Sequence, residues 1–266
     1  MTSSLPPDVV DALLRIEGQS FVRQVDWFDE LGSTNDHALQ IADDPATPLP
    51  RLVWTGRQTA GRGRGANVWW SSAGSLTFSL VIDAEETGLP AERRPLLSLL
   101  TGLAVIDALK SFVGSGLGLK WPNDVWLSGR KVCGILVETA RRQPHRVVIG
   151  VGLNVSNSFR SAPPEMRQMA TSLVDELPTP VSPPTVLLAF LSAWPAVVGD
   201  YTSGNLRLPG RWSQHCVLTD RPVRVAAGTS IVEGRCAGID ETGALLIDTP
   251  RGRERQVAGT VRLLAD

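Results

Sequence analysis

Three apolar stretches between residues 117 and 155 constrain the fold more than any other feature of this 266-residue chain. They are Leu117–Trp121, Cys133–Glu138 and Arg146–Val155, and little chain separates them. Parallel neighbours need a crossover of roughly a dozen residues or more, usually a helix, so strands this close pair in an antiparallel or mixed sheet rather than as βαβ units. Phe21–Phe28, Arg51–Gly56 and the alternating Ser75–Ile82 read as further strands. Helical spacing marks Asp8–Ile16, Asp36–Ala42 behind a Ser33 or Thr34 cap, and Pro95–Phe112, whose leucines cover more than one face and suit packing on a sheet. Thr185–Tyr201 is also helical, with a kink or break expected near Trp194 because Pro195 lacks an amide hydrogen. Between them, Phe159 to Pro184 reads as an ordered loop with one short helix near Thr171–Glu176.

From about Gln214 the texture changes to short strands punctuated by glycine turns: Pro222–Ala226, Ile231–Ile239, Ala244–Ile247 and Glu254–Val257. That is the pattern of a small all-β barrel. The expected organisation is therefore an α+β domain over residues 1–214, with a mixed, largely antiparallel sheet and helices on one side, followed by a β domain over 215–266.

Charge excludes several functions. The 26 Lys+Arg nearly balance 27 Asp+Glu, leaving −1, and neither sign forms a block suited to nucleic acid or a membrane surface. Only Lys110, Lys120 and Lys131 are lysines, so 26 less three leaves 23 arginines. Three scattered cysteines without a C-x-x-C pair support neither a disulfide framework nor a zinc site, and suit a reducing cytoplasm. The three histidines form no metal-binding or triad-like group. Acidic and proline residues interrupt the N-terminus where a signal peptide needs an apolar stretch, and no run of 18 apolar residues occurs. Neither secretion nor membrane spanning is expected.

Two segments carry chemistry. In Gln58-Thr-Ala-Gly61-Arg62-Gly63-Arg64-Gly65-Ala66-Asn67-Val68-Trp69 the glycines permit close backbone approach, and two guanidinium forks suit phosphate or carboxylate. A mobile surface loop or an RGG-like RNA contact has the same composition. The spacing is neither that of a Walker A loop nor that of a dinucleotide fingerprint. In Lys120-Trp-Pro-Asn-Asp124, Pro122 sets a rigid turn presenting Asn123 and Asp124, and Lys131 opens the next strand. An amide, a carboxylate and one or two ammonium groups then share one end of the sheet, although a β-hairpin with a solvated lysine reads equally well.

Five motifs occur together in order: Ser33-Thr-Asn35, Gln58-Thr-Ala-Gly-Arg-Gly-Arg64 with Trp69, Lys120-Trp-Pro-Asn-Asp124, Lys131-x-x-Gly134-Ile-Leu, and Gly150-Val-Gly-Leu-Asn154. In this order and spacing the chain resembles the biotin protein ligases over roughly residues 26–156. The resemblance implies a class II synthetase-like catalytic domain with a C-terminal SH3-like β-barrel. It implies ATP and biotin as substrates, Mg²⁺ arriving with ATP rather than on a protein site, and a biotin carboxyl carrier domain as partner. Biotin's carboxylate would attack the α-phosphate of ATP to give biotinyl-5′-adenylate, and the carrier lysine would then take the biotinyl group.

By the same resemblance, Ser33, Thr34, Asn35, Gln58, Gly61, Arg62, Gly63, Arg64, Lys131 and Gly134 bind biotin. Arg62, Arg64, Trp69, Asn123, Lys131 and Asn154 hold ATP or the adenylate. Lys131, Arg64 and Asp124 are the catalytic candidates, with Asp124 orienting or deprotonating the incoming amine. A cation between two repelling anions has a clear purpose: a unit charge about 4 Å away contributes about 4 kcal/mol at an effective dielectric near 20. Lys131 suits this bridging position because an ammonium is compact where a guanidinium is wide. Lys110, at a helix end, fits a dipole-complementing role instead.

Two departures from the family pattern stand out. Gly65-Ala66-Asn67 follows the loop where many bacterial members place further arginines, which lowers the loop's charge. Cys133 stands where a small apolar residue is common, and its strand setting predicts a buried, inert thiol. Only 32 residues precede Ser33, so the helix-turn-helix domain of the ligase that doubles as a repressor is not expected, and neither is DNA binding of that kind. Monomer and homodimer both remain open.

Overall fold

The computed structural model describes residues 5–264, so the outermost positions of both expected domains, 1–4 and 265–266, lie outside the description. Among the described residues twelve strands form two sheets. The larger runs β1 (Gln24–Phe28), β2 (Arg51–Thr55), β3 (Ser75–Asp83), β7 (Arg146–Asn154), β6 (Arg130–Thr139), β5 (Asp124–Leu127) and β4 (Leu117–Lys120), in that spatial order. β1 and β2 pair parallel and every other neighbour pairs antiparallel, as the short connections require.

Strand alternation divides this sheet into two unlike faces. Leu76, Phe78, Leu80 and Ile82 of β3, with Val147, Ile149, Val151 and Leu153 of β7, enter the main core. Helices α1 (Pro7–Gln19), α3 (Leu97–Leu109) and α6 (Pro183–Thr202) contribute their buried residues to that same core. The opposite face shows Ser79, Gly150 and Gly152, and the short α2 (Thr34–Ala42) lies there, packing Ala38 and Ala42 on Val53, Val81 and Val148. The helices are therefore on one side, as expected, except for α2. That exception matters, because α2 borders the open remainder of the second face.

Several elements differ from the sequence reading. Helix α6 runs unbroken through Pro195: buried Phe190 and Leu191 before it, and Val197 and Val198 after it, hold both halves on the core and offset the lost backbone bond. The helix is long and apolar enough to cross a membrane, yet Val186, Leu187 and Trp194 are also buried, and the Trp194 indole donates to Thr101 of α3 at 3.2 Å. Pro95–Phe112 divides into a 3-10 segment, Ala91–Leu96, followed by α3. The loop after residue 159 holds two short helices, α4 (Pro164–Met169) and α5 (Leu173–Glu176). Three short elements escaped the periodicity: β5, α7 (Leu208–Ser213) and the last strand.

The second sheet contains β8 (Pro222–Ala227), β9 (Ser230–Ile239), β10 (Leu245–Thr249), β11 (Gly252–Gln256) and β12 (Thr260–Leu263), ordered β11-β10-β9-β8-β12. It is antiparallel throughout, and among the described residues no pairing of β11 with β12 closes it. It docks on the first sheet by specific bonds. Leu119 bridges Cys216, and the Trp121 indole donates to Gly243 O at 3.0 Å. The cysteines are less scattered than they read. Cys216 and Cys236 meet as free thiols, and their hydrogen bond pulls the Cys216 thiol below its ordinary range.

Gly243 sits at φ +77°, and a Cβ there would lie 2.6 Å from Leu96 and 2.7 Å from Leu99. Gly243→Ala should therefore combine backbone strain with overpacking and cost about 2–4 kcal/mol of unfolding free energy, measured by urea denaturation. A loss below about 0.5 kcal/mol would contradict this account of how the turn between β9 and β10 packs against Leu96 and α3.

Candidate active site

The open half of the second face is a cleft, lined by α2, the glycine-arginine loop, β4 to β7 and Thr260 and Val261 of the second sheet. Its base is made by β6 and β7, where Gly134 pairs with Gly152 and Leu136 with Gly150. Glycine is required there. A Cβ on Gly152 would lie 2.4 Å from the Trp69 ring, and one on Gly150 would lie 2.1 Å from Asn35 Oδ1.

One end of the cleft is neutral and polar. Ser33 caps α2 by accepting from the Asp36 amide, which places Thr34 and Asn35 on its first turn. Gln58 Oε1 accepts from the Thr34 amide at 2.7 Å and from the Thr34 hydroxyl at 3.0 Å. Ser79 Oγ lies 2.8 Å from Thr34 Oγ1 and 2.6 Å from Asn35 Oδ1. Ser33, Thr34, Asn35 and Ser79 are buried and Gln58 is half-buried, and linked hydroxyl and amide groups give such a site fixed donors and acceptors.

The other end is cationic. Lys131 Nζ lies 2.6 Å from Asp124 Oδ1 and 5.9 Å from the centre of the Trp69 ring. A register shift places it there: Cys133 pairs with Val125 but Lys131 pairs with Trp126, so two steps of β6 oppose one of β5. Without that bulge, Lys131 would share a face with core-facing Cys133 and Ile135; with it, Lys131 joins Gly134 over the cleft. The Trp121–Pro122 peptide is cis, and Asn123 pins the turn by donating to Ile135 O at 2.8 Å. Lys120 Nζ lies 4.9 Å from the Trp126 ring centre. Burial pushes the Lys120 ammonium below the usual lysine range, Lys131 and Arg262 add repulsion, and Asp124 opposes the shift.

The glycine-arginine loop forms the rim. It doubles back on itself through Gly63 to Asn67 and Trp69 to Gly61 backbone bonds of 2.8 and 3.0 Å. Arg62 forks onto Glu138 at 3.0 and 2.7 Å and reaches Asp36 at 2.8 Å, and the Glu138 hydrogen bond holds its guanidinium above the ordinary range. Arg64 donates to Gly259 O, beside the cleft-lining Thr260 and Val261.

Of the expected site residues, Ser33, Thr34, Asn35, Gln58, Arg62, Gly63, Arg64, Trp69, Asn123, Asp124, Lys131 and Gly134 line this one cleft. Gly61 does not line it, and its own role is steric, since a Cβ there would meet Trp69 O at 2.5 Å. Asn154 also lies outside: it is 2% exposed, donates to Thr171 O at 3.0 Å and accepts from Asn157 at 3.0 Å, so it braces the chain after β7. Cys133 is fully buried and desolvation pushes its thiol up, in line with an inert role. Lys110 pairs with Asp107 at 2.7 Å away from the cleft. Sequence reasoning missed Glu138, Asp36 and Ser79. For Glu138 the two-residue alternation with Gly134 and Leu136 was an available signal, whereas nothing local marked Thr260 or Val261. Among the described residues no group of three His, Cys, Asp or Glu could hold a metal, and Asp124 is the cleft's carboxylate.

A ligase-type catalytic domain with its own C-terminal unit is what this architecture matches. Residues 30–154 match the Biotin/lipoate A/B protein ligase family, and residues 219–264 match the biotin protein ligase C-terminal domain. The chain is 32% identical over 230 residues to a biotin–[acetyl-CoA-carboxylase] ligase of Paracoccus denitrificans, an alignment spanning 84% of this chain and 93% of that one. It is 29% identical over 252 residues to the bifunctional ligase/repressor BirA of Bacillus spizizenii, spanning 93% and 75% respectively. Biotin protein ligase from Aquifex aeolicus, solved in complex with biotin and ATP, superposes with a TM-score of 0.79 at 26% identity, covering 91% of this chain and all of that one. The chain belongs to the biotin protein ligase family and is an enzyme of that kind.

With three lysines, amine labelling is readable residue by residue. Lys120 should react with a small acylating reagent along a rate–pH curve whose midpoint lies below that of a free lysine amine, because a lowered pKa leaves more neutral amine at a given pH. A midpoint at or above the free-amine value, followed by mass spectrometry, would contradict the burial argument.

Proposed function

We propose that this enzyme activates biotin with ATP, forming biotinyl-5′-adenylate and pyrophosphate, and then passes the biotinyl group to the ε-amine of a lysine on a biotin carboxyl carrier domain, releasing AMP. The observation that carries the reading is the gradient along one cleft, from neutral donors and acceptors at Ser33, Thr34, Asn35 and Gln58, with buried Ser79 behind them, to cations at Lys131, Lys120 and Arg64. Biotin has the matching polarity, with a neutral ureido ring at one end and a carboxylate at the other. Its ring occupies the neutral end and its carboxylate reaches Lys131.

The first step brings a carboxylate against a phosphate. Lys131 lies between them and offsets their repulsion, and its effect increases as charge develops on the phosphoryl oxygens. Asp124 fixes the ammonium before substrate arrives. Trp69, against Gly152 and Gly134, offers a flat surface to the adenylate, and the rim carrying Arg64 keeps water from a hydrolysable mixed anhydride. Mg²⁺ would come with the triphosphate, and Asp124, the carboxylate lining the cleft, would be the residue to share it. In the second step Asp124 orients the carrier amine and accepts its proton. Three free cysteines suit a reducing compartment such as the cytoplasm.

Incubation with radiolabelled biotin, ATP and Mg²⁺, with and without a carrier domain, tests the reading directly. Labelled adenylate and labelled carrier are expected; neither product would overturn it. Lys131→Arg should fold normally yet slow adenylate formation by roughly 100-fold or more, the scale of losing one preorganised charge contact. Near-normal activity would mean that any cation suffices. Asp124→Asn should slow transfer from preformed adenylate, and a normal transfer rate would remove Asp124 from the second step.

A further inference from the structure

We propose that Glu138 is a positioning residue for the ligase reaction, fixing the base of the glycine-arginine rim and the neutral end of the cleft through one carboxylate. The proposal rests on the ligase reading above and reassigns Arg62 and Asn35 within it. Glu138 ends the cleft-facing row Gly134, Leu136, Glu138 of β6. Its Oε2 accepts from Asn35 Nδ2 at 2.8 Å and from Arg62 Nη2 at 2.7 Å, while Oε1 accepts from Arg62 Nη1 at 3.0 Å. Three segments distant in sequence, α2, the rim loop and β6, therefore meet at one side chain.

The terminal nitrogens it holds are committed to protein partners, while the buried Arg62 Nε–H has none. The Asn35 amide gives its hydrogens to Glu138 and to Leu136 O at 3.3 Å, and its oxygen faces Ser79. The Arg62 guanidinium is forked on Glu138, and its Nη2 also reaches Asp36, the next residue along α2. One cation thus faces two carboxylates, and the local balance is −1. A further anion placed there would meet net repulsion, so the adenylate's negative charge falls to Arg64 and Lys131. Arg62 acts as the fixed hinge of the rim. Arg64, two residues along the same loop, lines the cleft and donates to the neutral carbonyl of Gly259 just before β12, so that no carboxylate in this bond opposes its charge.

A residue that holds the pocket's shape before and after the chemical step changes binding of substrate and transition state alike, raising KM while kcat persists. A residue that contacts the reacting phosphate instead loses kcat. Steady-state biotin kinetics of full-length wild type, Glu138→Gln, Arg62→Gln and the double variant separate these cases. For both single variants KM for biotin should rise roughly tenfold or more with kcat within about threefold, and the double variant should be no worse than the poorer single, because both changes break one tie. Additive losses, a kcat decrease larger than the KM rise, or an unchanged KM would each overturn the proposal. Arg62 lies on the rim rather than in a strand, so Arg62→Gln decides the matter even if Glu138→Gln fails to fold. Wild type run in parallel keeps the two readings apart: wild type without adenylate sinks the ligase reading, whereas active wild type with an indistinguishable Arg62→Gln sinks this proposal alone.

Discussion

The unequal faces of the seven-stranded sheet underlie everything else in this molecule. Alternation along β3 and β7 sends Leu76, Phe78, Leu80 and Ile82, with Val147, Ile149, Val151 and Leu153, into one core under α1, α3 and α6. Burial of that face fixes register, because a slip of one residue would move every one of those side chains to the other side. The same alternation leaves Ser79, Gly150 and Gly152 on the far side, where covering is incomplete. A cleft exists because the stabilising face is apolar enough to hold the sheet without the other.

On that open face, polar groups are placed by one another rather than by the core. Thr34, Gln58, Ser79 and Asn35 form one linked set, Glu138 ties it to Arg62, and Arg64 carries the rim on to Gly259. Lys131 and Asp124 form a second set at the opposite end, with Asn123 pinning the turn between them. The small second sheet completes the cleft through Thr260 and Val261, and Trp121 bonds it to the same turn that presents Asp124. The loop that closes the site is thus bonded to both sheets.

Much of this was legible beforehand, for particular reasons. The mixed sheet followed from the short gaps after residues 121 and 138, and α2 from its Ser33 cap. The motifs located the cleft because each marks a steric or charge requirement: glycine under Trp69, a proline turn before Asp124, paired arginines in the rim. Failures also had causes. Pro195 argued for a break, but packing on both sides of it outweighed a local penalty. β5, α7 and β12 span four to six residues each, too short for any period to show.

Taken alone, the sequence determined the fold class, the apolar face of each long strand and the family, since these depend on side-chain period and on residue types at fixed spacing. It could not determine which way Lys131 points. By strict alternation that lysine belongs with Cys133 and Ile135 in the core, and only the bulge opposite Val125 and Trp126 turns it onto the cleft beside Asp124. Nor could it pair Arg62 with Glu138 or Arg64 with Gly259, which lie 76 and 195 residues apart. Bulges and long-range pairings depend on how neighbouring strands and domains meet, which no local window contains.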